Sequence, residues 1–277
     1  RVTGKALTRS HPGLQYARWD PALQFLDEEA LSKADHIIHL AGAGIADERW
    51  TRKRKQEILD SRVKSSRLLI NKLHTVPHQV KTLISASATG WYGPDPAIPN
   101  PVPFTEDNPP AADFLGSTCK QWEAGIEEAA AMSLRLVILR IGVVVSKSGG
   151  ILREFTKPLR AGIAPILGSG KQVISWIHIS DLVSLFLYAL ENGSLQGKYN
   201  AVAPQPVTNK KFVLTLARER NKFFIPFHVP SFLLKWMLGE LSREVLKSAT
   251  VSSNRVQAAG FRFHYPVIKE ALSAERG

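Results

Sequence analysis

Cysteine is almost absent from this chain: Cys119 is the only one in 277 residues. A single thiol excludes an intramolecular disulfide framework and a cysteine-based zinc site. It suits a reducing compartment, so a cytoplasmic setting is expected. Long apolar runs are also lacking. The best stretches, residues 134–145 and 182–190, are too short for a membrane span or are interrupted by Arg140, and no membrane partner is expected. No signal-peptide pattern opens the chain, and the first residue is Arg1 instead of Met, so a longer or processed parent is expected. Acid is scarce as well. The chain has 24 Asp and Glu against 36 Lys and Arg, a formal net charge of +12, which attracts polyanions such as nucleotides, nucleic acid or anionic lipid.

What is present is ordinary globular material, 44% apolar and 22% charged, long enough to bury a sizeable core. Residues 2–7 read as a strand and residues 23–31 have helical spacing. DHIIHL at 35–40 is a compact strand running into Ala41-Gly42-Ala43-Gly44, and a long helix is expected over about 51–74. Further strands are expected at 81–87, 134–145 and 176–179, the last followed by a helix through Leu190 with Ser180 as its cap. Strands alternating with helices predict an α/β protein with a doubly wound, mostly parallel sheet. Seven of the 17 prolines fall between Pro94 and Pro110. That density permits neither helix nor central strand, and leaves a long loop at a strand's C-terminal end, either a lid or a surface loop. Beyond about residue 201 the pattern changes. Thr208 caps a helix through about Arg218, Pro226 and Pro230 frame an extended piece, and SFLLKWML from Ser231 is a helix ended by Gly239. The expected division is therefore a dinucleotide-binding domain over 1–200 and a small C-terminal, substrate-side lobe over 201–277.

Two segments point to chemistry. In HLAGAGIADERW a strand ends in Gly-x-Gly before a helix, which can bring backbone N–H groups to phosphate, but Asp47 stands where the third glycine of the dinucleotide fingerprint belongs. In ISASATGWYG, Ser87 sits at the tip of a strand, placed either to bond a substrate oxygen or to satisfy its own turn.

The ordered set HLAGAGI, a basic helix, ISASATGWYG, RIGVVVS, WIHISDLV, GKYNAVAP and the C-terminal VPSFLLKWMLGE resembles the extended short-chain dehydrogenase/reductase superfamily, in its NAD(P)-dependent epimerase-like branch. The resemblance covers essentially the whole chain. It implies a Rossmann-like fold, NADP(H) as cofactor and a small carbonyl or nucleotide-sugar-type substrate. The family's first strand and Gly-rich loop are absent, a gap of roughly 25 to 30 residues if residues 2–7 form the second strand. The end of that strand selects the cofactor. Thr8 and Arg9 there offer a hydroxyl and a guanidinium fork to a 2′-phosphate and favour NADP over NAD. Leu40, Ala41 and Gly42 resemble the stretch beneath the adenosine ribose. Arg62 and Glu57, on one side of the long helix, are expected to face the cofactor, and Gly142 and Val143 to pack against nicotinamide.

The resemblance falters at the catalytic base. The family's Tyr-x-x-x-Lys pair, aligned on Glu123, falls on Leu115 and Cys119, and Lys120 is one place off. A literal Tyr265–Lys269 match contains Pro266 and lies in the C-terminal lobe, so it is set aside. Ser87 and Tyr92 remain as the catalytic candidates, with water or Lys120 as other proton sources. His178 and Asp181 could pair for acid–base work but read better as interface and helix-capping groups. Two functions stay open: an NADP(H)-dependent oxidoreductase or epimerase, and a regulatory protein that binds NADP(H) without turnover. A homodimer through paired helices beside the sheet is implied by the resemblance. Nucleic acid is not expected as a partner: the helix over 49–67 carries eight basic residues but no recognised motif.

Overall fold

The computed structural model describes residues 13–220 and 223–276. The strand expected at 2–7, with Thr8 and Arg9, lies outside them. The helix expected over 23–31 is mostly replaced by a hairpin of β1 (Trp19–Asp20) and β2 (Phe25–Leu26). The Asp20 carboxylate accepts the N–H groups of Ala22 and Leu23 and holds the turn. Only α1 (Glu28–Ser32) is helical, and it starts where Asp27 caps Glu29 and Ala30.

From there the sequence pattern is followed closely. β3 (His36–His39) leads into α2 (Arg52–Thr75), capped by Thr51. β4 (Thr82–Ala88) is followed by a short 3-10 turn, the proline-rich loop and α3 (Phe114–Ala131), capped by Asp113. The single strand expected over 134–145 is two strands, β5 (Arg135–Ile141) and β6 (Val143–Ser146), which belong to different sheets. Gly142 is the switch. Its N–H donates to Ala201 O at 3.1 Å, while the N–H of Val143 donates to Ser175 O at 2.9 Å. A Cβ on Gly142 would lie 2.6 Å from Ser175 O and 2.7 Å from Val202 Cγ1, so only glycine fits this crossing.

Next come α4 (Gly150–Leu159), β7 (Ile163–Leu167), β8 (Val173–Ile174) and β9 (Trp176–His178). The helix α5 (Ile179–Glu191) begins one residue before Ser180, and its cap is the His178 ring, which accepts from the Ser180 N–H. β10 (Gly197–Ala201), β11 (Val207–Thr208), α6 (Asn209–Arg220) and β12 (Ile225–Val229) follow. The chain ends in α7 (Ser231–Leu238), α8 (Leu241–Leu246), α9 (Asn254–Ala258) and α10 (Ile268–Ala274).

Among the described residues four strands form the central sheet, all parallel, in the order β10-β5-β4-β3. Alternate residues of β4 and β5 feed two cores. Leu83, Leu136 and Ile138 pack under α2 and α3, and Ile84, Val137 and Leu139 pack under α5. This doubly wound arrangement places the C-terminal strand tips side by side, which is where open α/β sheets bind ligands. Among the described residues the sheet ends on β3. A second core joins α4, β6, β7 and β9 to residues after 201, chiefly α6 and α10.

Candidate functional site

The tips of β3, β4 and β5 differ in what they expose. At the β3 tip, Leu40 and Gly42 are exposed and Ala41 is half-buried. The turn beyond them is pinned from α2: Ser61 Oγ accepts the Ala43 N–H at 2.9 Å, Arg62 donates to Ala43 O at 3.0 Å, and Arg54 donates to Gly44 O at 2.5 Å. The Arg62 guanidinium lies against Gly42, whose Cβ, if present, would be 3.1 Å from Arg62 Cζ. Its other face looks onto the Trp122 ring, 5.0 Å away. Burial holds the Arg62 pKa below the usual arginine value. Glu57 sits one turn earlier and accepts from Arg54 at 2.8 Å, so the two charges fix each other beside the same turn. Gly44 and its neighbours are backed by Trp50, whose indole donates to Ile45 O at 2.7 Å. The arrangement is a turn in which Leu40 is exposed, Ala41 and Gly42 are small, and a guanidinium lies against Gly42. A side chain at Gly42 would displace Arg62. Gly142 and Val143 lie across the sheet at the β5 tip, both half-buried. Thr8 and Arg9, expected at the adenosine end, lie outside the described residues.

The β4 tip is closed. Ser87 is buried and donates its hydroxyl proton to Glu123 Oε1 at 2.7 Å. Arg140 of β5 clasps the same carboxylate with two bonds, at 2.8 and 2.9 Å, and Lys198 approaches it at 3.3 Å. The third arm of Arg140 reaches Tyr92 Oη at 3.1 Å and Glu106 O at 3.0 Å, and its plane lies 3.7 Å over the Trp91 ring. Tyr92 is fully buried and donates to Asn200 Oδ1 at 2.6 Å, while the Asn200 N–H donates to Glu106 Oε1 at 2.8 Å. Burial works against the Arg140 charge, but the bonds and charge of Glu123 outweigh it and raise its pKa. Burial pushes the Tyr92 phenol up to about 12. Both hydroxyls expected to do chemistry are thus committed inside the protein.

Leu115 and Cys119 face this tip from α3. A Cβ on Gly90 would meet Leu115 Cβ at 3.2 Å and Cys119 Sγ at 3.7 Å. Burial raises the Cys119 thiol to about 12, with the Glu123 charge adding to the shift. An apolar side chain and a neutral thiol therefore stand where the resemblance calls for tyrosine and lysine, and Lys120 is exposed on another face of the helix. His178 bonds Glu275 at 3.0 Å and packs against Tyr265, while Asp181 accepts the N–H groups of His264 and Tyr265. Those contacts tie the C-terminal segment to the sheet and also absorb Tyr265.

The proline-rich loop is fastened. Asp95 accepts from Ser248, Thr250 and Asn100, and the backbone of Phe104 pairs with that of Thr250 and Ser252. Glu106, Glu123, Arg140, Asn200 and Asp95 were not singled out as a network by sequence reasoning. Each is an ordinary polar residue, and only Arg140 carries a signal, a charge inside an apolar run. No group of three His, Cys, Asp or Glu that could hold a metal occurs among the described residues. No helix among them is long and apolar enough to cross a membrane.

Comparison with known proteins agrees with this geometry. The model of the NAD dependent epimerase/dehydratase family matches residues 21–202, and a domain of unknown function, DUF1731, matches residues 229–275. An epimerase family protein of Staphylococcus saprophyticus is 35% identical over 278 residues, covering 98% of this chain and 88% of its own. The crystal structure of human epimerase family protein SDR39U1 with NADPH superimposes with a TM-score of 0.79 at 28% identity, over 89% of this chain and 85% of that one. A nucleoside-diphosphate sugar epimerase from Corynebacterium glutamicum gives 0.74 at 29% identity, over 98% of this chain and 51% of that one. UDP-glucuronic acid 4-epimerase from Bacillus cereus, in complex with UDP-glucuronic acid and NAD, shares the fold alone, at 0.73 and 17% identity. With its parallel sheet, its glycine switch and this span of agreement, the chain belongs to the NAD dependent epimerase/dehydratase family.

Proposed function

We propose that the protein binds NADP(H) across the tips of β3 to β5 as an oxidoreductase or epimerase-like protein, acting on a small carbonyl or nucleotide-sugar-type substrate. The observation that carries this reading is the Arg62 guanidinium set against Gly42 at the open tip of β3. Leu40, Ala41 and Gly42 would carry the ribose, Arg62 and Glu57 would face the cofactor from α2, and Gly142 and Val143 would back the nicotinamide. Thr8 and Arg9 would take the 2′-phosphate. The bound nicotinamide supplies hydride exchange. Ser87 and Tyr92 would order the floor beside it through Glu123 and Arg140, and the proton would come from solvent. The NADPH named for the human relative supports the phosphorylated cofactor.

A second reading, a holder of NADP(H) without turnover, is favoured by one observation: with Leu115 and Cys119 facing the closed tip from α3, no tyrosine–lysine pair stands there. Titration with NADPH and NADH, followed by NADPH oxidation over a panel of carbonyl compounds and nucleotide sugars, separates the two. The first reading predicts tighter NADPH than NADH binding, weakened by Arg9→Ala, and oxidation with at least one substrate. Tight binding with no oxidation gives the second. Equal affinity for both cofactors, unchanged in Arg9→Ala, would overturn the assignment of NADP.

A further inference from the structure

The second lobe carries an apolar surface that nothing in the candidate site uses. β7 and β12 form a two-stranded parallel sheet in which Ile163 pairs with Ile225 and Pro165 with Phe227. Paired residues of a parallel ladder share a face. The intervening Ala164 and Ile166 are buried in the lobe core, so Ile163, Ile225 and Phe227 point outward, and all three are exposed. Phe223, just before β12, is 77% exposed. One residue after β12, Pro230, the chain enters α7, whose only charged residue is Lys235. At about 100° per residue, Leu234 and Leu238 share one side of the helix: Leu234 is buried, and Leu238 packs with Trp50, Leu115 and Leu241. Phe232 and Trp236 share the opposite side and are 74% and 75% exposed, with Met237 beside them, also exposed. A helix that is apolar all round is normally covered on all sides, and exposed apolar surface of this extent marks an interaction site.

The charge around the surface identifies what covers it. Lys235 stands next to Phe232 and Trp236, and Arg243 follows on α8. Arg160 lies at the end of the sheet where Gly162 O accepts the Ile225 N–H. Lys171 and Lys210 lie at the other end, by the Gly170 turn, where a Cβ on Gly170 would touch Lys210 at 3.0 Å. All five are exposed, and among the described residues none forms a close ion pair, Arg243 feeling only the charge of Glu240, which is bonded to Lys55. The neighbouring acids are already used: Glu240 by Lys55 and Glu244 by Lys247. An aromatic face rimmed by unpaired cations complements a surface that is apolar inside and negative at its boundary. Two copies of this chain would instead bring two cationic rims together, which is unfavourable at a net charge of +12. We propose that this face, built from β12, α7 and the outer side of β7, seats the protein on an anionic lipid bilayer. Phe232, Trp236 and Phe223 would enter the headgroup region, and Lys235, Arg243 and Arg160 would contact lipid phosphates. This departs from the sequence-based expectation that no membrane is a partner.

Co-sedimentation of the 277-residue chain with vesicles tests it, using phosphatidylcholine alone and phosphatidylcholine mixed with phosphatidylglycerol. The chain binds the anionic vesicles at least tenfold more tightly than the neutral ones, and binding weakens with added salt. Phe232→Ser with Trp236→Ser, both exposed and so compatible with the fold, reduces binding at least tenfold with an unchanged circular dichroism spectrum. Lys235→Ala reduces it about fivefold. Three results overturn the proposal: no binding to anionic vesicles at low salt, binding that the serine pair does not weaken, or a dimer in sedimentation velocity that the serine pair dissociates while vesicles are ignored. The last would assign the face to a second copy.

Discussion

Two neighbouring strand tips of one sheet have been built in opposite ways. The β3 tip is open: Leu40 and Gly42 are exposed, Ala41 is half-buried, and arginines reach the turn from α2. The β4 tip is sealed: Ser87, Tyr92 and Arg140 satisfy one another through Glu123 and Asn200. In this family fold both tips border the ligand crevice. On the proposed reading, holding a dinucleotide and moving a proton are separable parts of the same architecture. Holding needs glycine and a guanidinium in place. Moving a proton needs a group whose pKa is near the working pH and whose proton is free. The phenol and the thiol at the closed tip are both pushed to about 12.

The comparison breaks most readily at the ion pair. Glu123→Ala leaves Arg140 charged and buried without its carboxylate, and should lower unfolding free energy by about 3–5 kcal/mol, measured by urea denaturation. A loss below about 1 kcal/mol would mean that the closed tip is not held by this pair. Next in size is an effect of acid at the other tip. His39, buried beneath it against Ser66, has its pKa lowered to about 4 by burial. The unfolded imidazole titrates at about 6.5 and therefore takes up its proton first. Stability from this group is complete above about pH 6.5 and is lost as pH falls toward 4, by roughly 3 kcal/mol in all. Denaturation curves of the protein and of His39→Asn from pH 7 to 4 should diverge over that window. Tyr92→Phe follows: it leaves Asn200 Oδ1 without its donor and should destabilise by about 1–3 kcal/mol, while leaving any NADPH oxidation rate unchanged. A rate that falls with Tyr92→Phe would make the closed tip a working one.

Much of this was legible in the sequence, for physical reasons that differ by element. β4 and β5 are apolar runs flanked by polar turns, and α2 and α3 start at Thr51 and Asp113, whose capping is a local property. Leu115 and Cys119 are marked, in place of the usual Tyr and Lys, by the family resemblance aligned on Glu123. The break at Gly142 was not legible, because the atoms that forbid a Cβ there belong to Ser175 and Val202, distant in sequence. The lock was not legible either. Glu123 and Arg140 lie on a helix and a strand 17 residues apart, and no periodicity announces such a pair. The hairpin at 19–26 replaced a helix because Asp20 satisfies its own turn, which apolar spacing does not record. α7 was legible as a helix. Which of its sides stays uncovered was not, since it is apolar on nearly all of them.

The contrast between the tips is tested most directly by the affinity for NADPH of three proteins: the unaltered chain, Arg62→Ala at the open tip and Tyr92→Phe at the closed one. Arg62→Ala should weaken binding about tenfold or more, and Tyr92→Phe should leave it within about twofold. A dissociation constant that moves with Tyr92→Phe and not with Arg62→Ala would contradict it.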